Sequence, residues 1–237
     1  MTTNSIIEKL FSVGAHFGYA PRYRHPSTTP YLYGAKGGVE LFDLEKTASL
    51  LDAALAFVRG LAAERKTILF VSGKAEARDA LRRVALRLNQ PYVAGRWIGG
   101  SLTNFNEIKK RLARLAEYQD MREQGSLAKF TKRERLLIDR EMVDLEAMFG
   151  GLKGMTKAPD ALMIIDPRAE KGALMEANQL NIPVISLLNT DCDASKVQYP
   201  IPGNDASAAS VALVLDAVAH AYEESLGAPP APAPAAN

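Results

Sequence analysis

With one cysteine, three histidines and one tryptophan among its 237 residues, the chain has little material for several kinds of chemistry. Cys192 alone cannot build an intrachain disulfide framework, and the neighbouring Asp191 and Asp193 would raise its pKa rather than activate it. No two of His16, His25 and His220 stand three or four residues apart, so no helix presents a zinc-binding pair. His16 could meet Asp191, Asp193 and Asp205 around a hard cation only if the fold joined the chain ends. Capping and turn formation account for the same residues, and neither a metal nor a cofactor is expected. Neither G-x-G-x-x-G nor G-x-x-x-x-G-K-[ST] occurs, which removes the dinucleotide loop and the P-loop. Apolar runs such as Leu162–Ile165 and Val211–Leu215 fall far short of the roughly 20 residues that cross a bilayer. No membrane partner is expected. Met1–Ser5 has neither a basic leader nor an apolar signal core, so a cytoplasmic location is expected.

What the chain does have is a charge gradient beneath a net charge of only +2. Residues 1–105 carry +6, residues 106–157 carry +3 and residues 158–237 carry −7. Because salt confines each field to about 8–10 Å, the first two thirds can attract phosphates independently of the acidic end. An apolar content of 47% is ample for a large core.

Ser5–Glu8 has capping-box spacing, and Ile6, Ile7, Leu10 and Phe11 continue it as a short helix. Residues 18–38 combine aromatics, prolines and the cluster Arg22-Tyr23-Arg24-His25, which predicts an irregular surface segment. Val39–Phe42 alternates like a strand. Leu44–Glu64 repeats its apolar residues at helical spacing, Thr67–Ser72 is a continuous apolar run, and Ala75–Leu88 is helical again. Pro91–Ala94, Ala161–Ile165 and Val184–Leu188 read as further strands, with Ala169–Leu180 and Ser207–Glu224 as helices. This alternation predicts an α/β fold, a parallel sheet covered on both faces.

Between the halves, 21 of the 52 residues in 106–157 are charged. Ile138, Met142, Leu145, Phe149 and Leu152 follow 4-3-4-3 spacing, and Ile108, Leu112, Leu115 and Tyr118 supply a facing seam. The expectation is an inserted antiparallel α-helical coiled-coil hairpin, with two ordinary surface helices as the alternative. The body would then be one discontinuous domain, 1–105 with 158–226, followed by a disordered Pro/Ala tail at 227–237.

Gly95-Arg96-Trp97-Ile98-Gly99-Gly100-Ser101-Leu102-Thr103-Asn104 is the most informative stretch. Adjacent glycines let a large partner approach the main chain, while Arg96 and Trp97 offer a charge and a flat face. A glycine turn packing the tryptophan inward would use the same residues. No nucleophile accompanies an acid/base pair here, so docking fits better than turnover. Lys109, Lys110 and Arg111 crowd the next helix and can bind phosphates without reading sequence. Lys74, with Arg78 nearby, stands where a helix N-terminus could receive one phosphate. Lys129, Lys132, Arg133 and Arg135 lie near the expected hairpin tip.

Gly14-Ala15-His16-Phe17-Gly18, Leu44-Glu45-Lys46-Thr47, Arg96–Asn104, Phe130-Thr131-Lys132-Arg133-Glu134, Gly150-Gly151-Leu152-Lys153, Pro159-Asp160-Ala161-Leu162 and Ile201-Pro202-Gly203-Asn204-Asp205 occur in the order found in small-subunit ribosomal protein two, and the chain resembles that family over residues 5–220. The hairpin resembles the bacterial or organellar branch. The resemblance implies a flavodoxin-like three-layer body, binding to small-subunit rRNA and to other small-subunit proteins, including the mRNA-binding ribosomal protein one, and no catalytic step or small-molecule substrate. Tyr19, Asn189 and Ala169-Glu170-Lys171 depart from the family pattern, which further weakens a metal site. The expected RNA contacts are Arg22, Arg24, Lys36, Lys74, Arg96, Trp97, Gly99, Gly100, Lys109, Lys110 and Arg111; Arg96, Trp97, Gly99 and Gly100 follow the motif and the others follow charge. The competing reading is a flavodoxin-like enzyme acting on a small phosphorylated ligand in a pocket at the carboxyl ends of the strands.

Overall fold

The computed structural model describes residues 3–226, so the Pro/Ala segment expected to be disordered lies outside the described residues. Helix α1 (Thr3–Ser12) is followed by two 3-10 turns at 21–23 and 26–31 and by strands β1 (Leu32–Lys36) and β2 (Val39–Phe42). These strands pair antiparallel in a separate two-stranded sheet. The segment expected to be irregular thus contains a strand. β1 is nearly all exposed, so no alternation of apolar residues marks it.

The main sheet is built from β3 (Ile68–Val71), β4 (Tyr92–Val93), β5 (Ala161–Ile165), β6 (Val184–Leu188) and β7 (Tyr199–Pro202). All of its pairings are parallel, and the order is β4-β3-β5-β6-β7. The fold is therefore α/β around a five-stranded parallel sheet. β7, Tyr-Pro-Ile-Pro, has no counterpart among the expected strands, because proline cannot donate to a ladder; as an edge strand it pairs only with β6 and tolerates both prolines.

Successive side chains point to opposite faces, which divides the core in two. Ile68, Phe70, Met163, Ile165, Ile185 and Leu187 meet α2 (Leu44–Ala63), α3 (Ala75–Arg87) and α7 (Ala208–Ser225). Leu69, Val71, Leu162, Ile164, Val184 and Leu188 meet α6 (Lys171–Gln179) and the buried sides of α4 (Phe105–Glu123) and α5 (Lys132–Phe149). Burial on both faces explains the unbroken apolar runs of β3, β5 and β6.

Local signals set the helix starts. Asp43 accepts from the amides of Glu45 and Lys46 at the head of α2, and Thr131 and Glu134 form a reciprocal capping box on α5. Leu115 and Tyr118 of α4 share an apolar cluster with Met142 and Leu145 of α5. Polar links join the same pair: Arg114 Nη2 donates to Glu141 Oε2 at 2.9 Å, and Gln119 Nε2 to Glu146 Oε2 at 3.0 Å. From 131 to 137 every side chain is exposed.

Candidate nucleic-acid interface

The loop between β4 and α4 is organised around a carboxylate that comes from elsewhere in the chain. Glu176 of α6 accepts at Oε1 from Trp97 Nε1 (3.0 Å) and the Gly100 amide (2.8 Å). At Oε2 it accepts from the amides of Leu102 (2.9 Å) and Thr103 (3.0 Å) and from Thr103 Oγ1 (3.1 Å). Gly100 sits at φ +85°, a left-handed conformation that glycine adopts without steric penalty. Burial would raise the pKa of Glu176, yet its donors, Trp97 foremost and then the amides of Thr103, Leu102 and Gly100, outweigh burial and hold it below the ordinary carboxylate value.

The glycine-rich turn therefore does bind an anion, but an internal one. Trp97 is a strut: its ring is partly buried and lies so close to α6 that a Cβ at Gly172 would come within 3.1 Å of Cδ1. Of the two uses expected for this stretch, the glycine turn that packs the tryptophan inward matches this contact. Arg96 and Gly99 are both exposed, and nothing lies within 4 Å of a Cβ built on Gly99.

The remaining expected cations differ in how far the protein already uses them. Lys36 and Arg111 are exposed, and among the described residues neither has a side-chain partner. Arg22 lies 4.5 Å from the Tyr23 ring centroid, and Lys109 lies 5.2 Å from that of Phe105. Lys110 meets Glu107 at 2.6 Å, one turn away on an exposed helix face, a pairing worth little that a phosphate can displace. Arg24 is more committed, because its partner at 3.0 Å is Glu40, a buried carboxylate whose other oxygen has no hydrogen-bond partner.

Lys74 is the most committed of the expected cations. Its ammonium is 2.7 Å from Asp205 and 2.9 Å from Asp166, and the Tyr19 hydroxyl is 3.4 Å away. Burial would lower its pKa, but hydrogen bonds and charges from Asp205 and Asp166 prevail and raise it. Asn189 Nδ2 also donates to Asp205, at 2.8 Å. Asp166 stands at φ +63°, a region aspartate tolerates because its side chain closes a local turn, here onto the amides of Arg168 and Ala169. The carboxyl ends of β3, β5 and β7 are thus joined by an internal charge cluster where a phosphorylated ligand would have had to sit. Glu170, whose pKa is pushed up by burial, accepts from the Gly73 amide at 2.7 Å and occupies the start of α3.

The candidate cation ligands do not converge. His16 packs between Phe11 and Phe17, and burial lowers its pKa. Asp191 pairs with Arg168 at 2.5 Å, and Asp193 accepts from Ser195 Oγ at 2.6 Å. Among the described residues no group of His, Cys, Asp or Glu is arranged to hold a metal. Burial and the charges of Asp166 and Asp191 raise the pKa of the Cys192 thiol.

Sequence reasoning missed Glu176 and Asp166. Their partners lie more than seventy and ninety residues away along the chain, and no local spacing announces such pairings. It also left out Arg82 and Arg122, which line an open cleft of about 1030 Å³ between α3, the end of β4 and the α4–α5 pair, together with Arg78 and Arg96.

A family model described as Ribosomal protein S2 matches residues 10–225. The match takes in both layers over the sheet, the loop around Glu176 and the whole of α4 and α5.

Proposed function

Because the chain belongs to the Ribosomal protein S2 family, a family of small-subunit ribosomal proteins of translation, we propose that it acts as a structural constituent of the small ribosomal subunit, gripping small-subunit rRNA and touching neighbouring proteins. The family match over residues 10–225 carries this reading. The proposed location is the cytoplasmic ribosome; no helix among the described residues is long and apolar enough to cross a membrane.

The work is electrostatic clamping without a covalent step. Arg96, Lys109, Lys110 and Arg111 follow one another through the loop and into α4, and Arg22 and Lys36 lie on the exposed N-terminal segment. Each neutralised phosphate releases counterions, which supplies affinity without sequence reading. Gly99, exposed and free of a side chain, leaves room for close approach. Trp97, Gly100 and Glu176 shape the loop from behind, and Lys74 and Arg24 contribute mainly to the fold.

The body, 1–105 with 158–226, is proposed as one flavodoxin-like domain. Numbering only the parallel strands, the order 2-1-3-4-5 supports that reading. Residues 106–157 are proposed as an antiparallel coiled-coil hairpin; the apolar cluster that Leu115 and Tyr118 share with Met142 and Leu145 supports it. Its exposed end is a candidate surface for protein neighbours, including the mRNA-binding ribosomal protein one.

The enzyme reading is not favoured. It needs an open pocket at the carboxyl ends of the strands, where Lys74, Asp166 and Asp205 satisfy one another. Sedimentation of a cell extract tests the proposal. The chain should travel with the small subunit and be released as salt rises, and a chain found only at the top of the gradient overturns it.

A further inference from the structure

Helix α3 carries its arginines in two stripes, and their fates differ. Arg83 and Arg87, four residues apart on one side, pair with Asp216 and Glu223 of α7. Arg78 and Arg82, also four apart, face the open cleft beside β4. Across that cleft stands Arg122, near the C-terminal end of α4, and Arg96 enters from the loop held by Glu176. All four are exposed, and among the described residues none has an ion-pair or side-chain hydrogen-bond partner.

Acids are present too. Asp79 and Glu123 line the cleft, but Glu146 is already neutralised by Lys153 at 2.6 Å, so the balance stays positive. The wall formed by α5 adds apolar surface, with Val143 at 66% exposure. An open cleft of this volume with guanidiniums on both walls suits a polymer of phosphates better than one small anion, because each arginine can meet a different phosphate oxygen pair.

We propose that this cleft holds a stretch of RNA backbone, with Arg82 and Arg122 gripping it from opposite walls and Arg96 closing one side. The proposal rests on the ribosomal reading above and names a surface for it. Its occupant is the sugar-phosphate chain, and the apolar wall meets sugars.

The test uses the full chain and small-subunit rRNA, with binding measured over a range of salt. The Arg82→Gln/Arg122→Gln variant should lower the slope of log affinity against log salt by about 1.4–1.8, from roughly 0.7–0.9 for each phosphate no longer neutralised. Arg59→Gln/Lys171→Gln removes the same charge elsewhere on the surface and should leave the slope alone. Arg82→Lys/Arg122→Lys should restore it, separating a missing charge in the cleft from a failure to fold. A cleft variant that keeps the wild-type slope, or a control whose slope falls as much, overturns the cleft while the ribosomal reading stands. Retained rRNA binding with loss of a protein neighbour from nuclease-treated particles would make the groove a protein site and also overturn it. If the unaltered chain neither binds rRNA nor sediments with the subunit, the ribosomal reading itself fails.

Discussion

The mouth of the parallel sheet holds the cation Lys74 and the cleft beside β4 holds four arginines, yet only the cleft has charge to give. At the mouth, Lys74 lies between Asp166 and Asp205, and Asp205 is wholly buried. In the cleft, Arg78, Arg82, Arg96 and Arg122 have no such partners among the described residues. Formal charge in a sequence therefore says little about charge available to a ligand. What decides is whether a carboxylate has been folded against it, since a buried ammonium left unpaired would cost several kcal/mol.

Lys74→Met should break this contrast most sharply. It strands two carboxylates at the mouth and should lower unfolding stability by about 3–5 kcal/mol in urea titration. A loss below about 1 kcal/mol would mean that the cluster is dispensable and the mouth could open. Glu176→Gln comes next, at about 2 kcal/mol, because it weakens charge-assisted bonds from four residues at once. Trp97 is the only tryptophan, so its emission reports this loop directly.

The same carboxylate gives a pH dependence of definite sign. Its folded pKa is depressed, so its contribution is present above the unfolded carboxylate value, about 4.3, and is lost as pH falls through the lower folded value. Acid should shift Trp97 emission in the native protein and much less in Glu176→Gln; equal transitions would assign the change to another group. The smallest effect on stability is expected from Lys109→Gln/Lys110→Gln/Arg111→Gln. Its thermal midpoint should hardly move, while its rRNA salt slope falls by about 0.7–0.9 for every phosphate left without its cation. A changed midpoint with an unchanged slope would place these residues with the internal cations.

Much of the body is legible in residue order. The continuous runs of β3, β5 and β6 and the helical spacing of α2, α3, α4, α5 and α7 all carry local periodicity. β7 and β1 escape it because an edge strand with two prolines and an exposed strand with no alternation lack that signature. The site is half legible. The Arg96–Asn104 stretch stands out by its glycines and its tryptophan, but it suggests an external anion where Glu176 sits and an outward face for Trp97, which in fact turns inward to α6.

Residue order alone determined the α/β class, the concentration of charge in 106–157 and the lack of both glycine-rich nucleotide motifs, since each depends on neighbours within a few turns of chain. Tertiary structure decided which cations are spent on Asp166, Asp205, Glu40 and Glu223 and which remain free. Electrostatic neutralisation acts through space over a few ångströms, and the chain separates those partners by up to 136 residues.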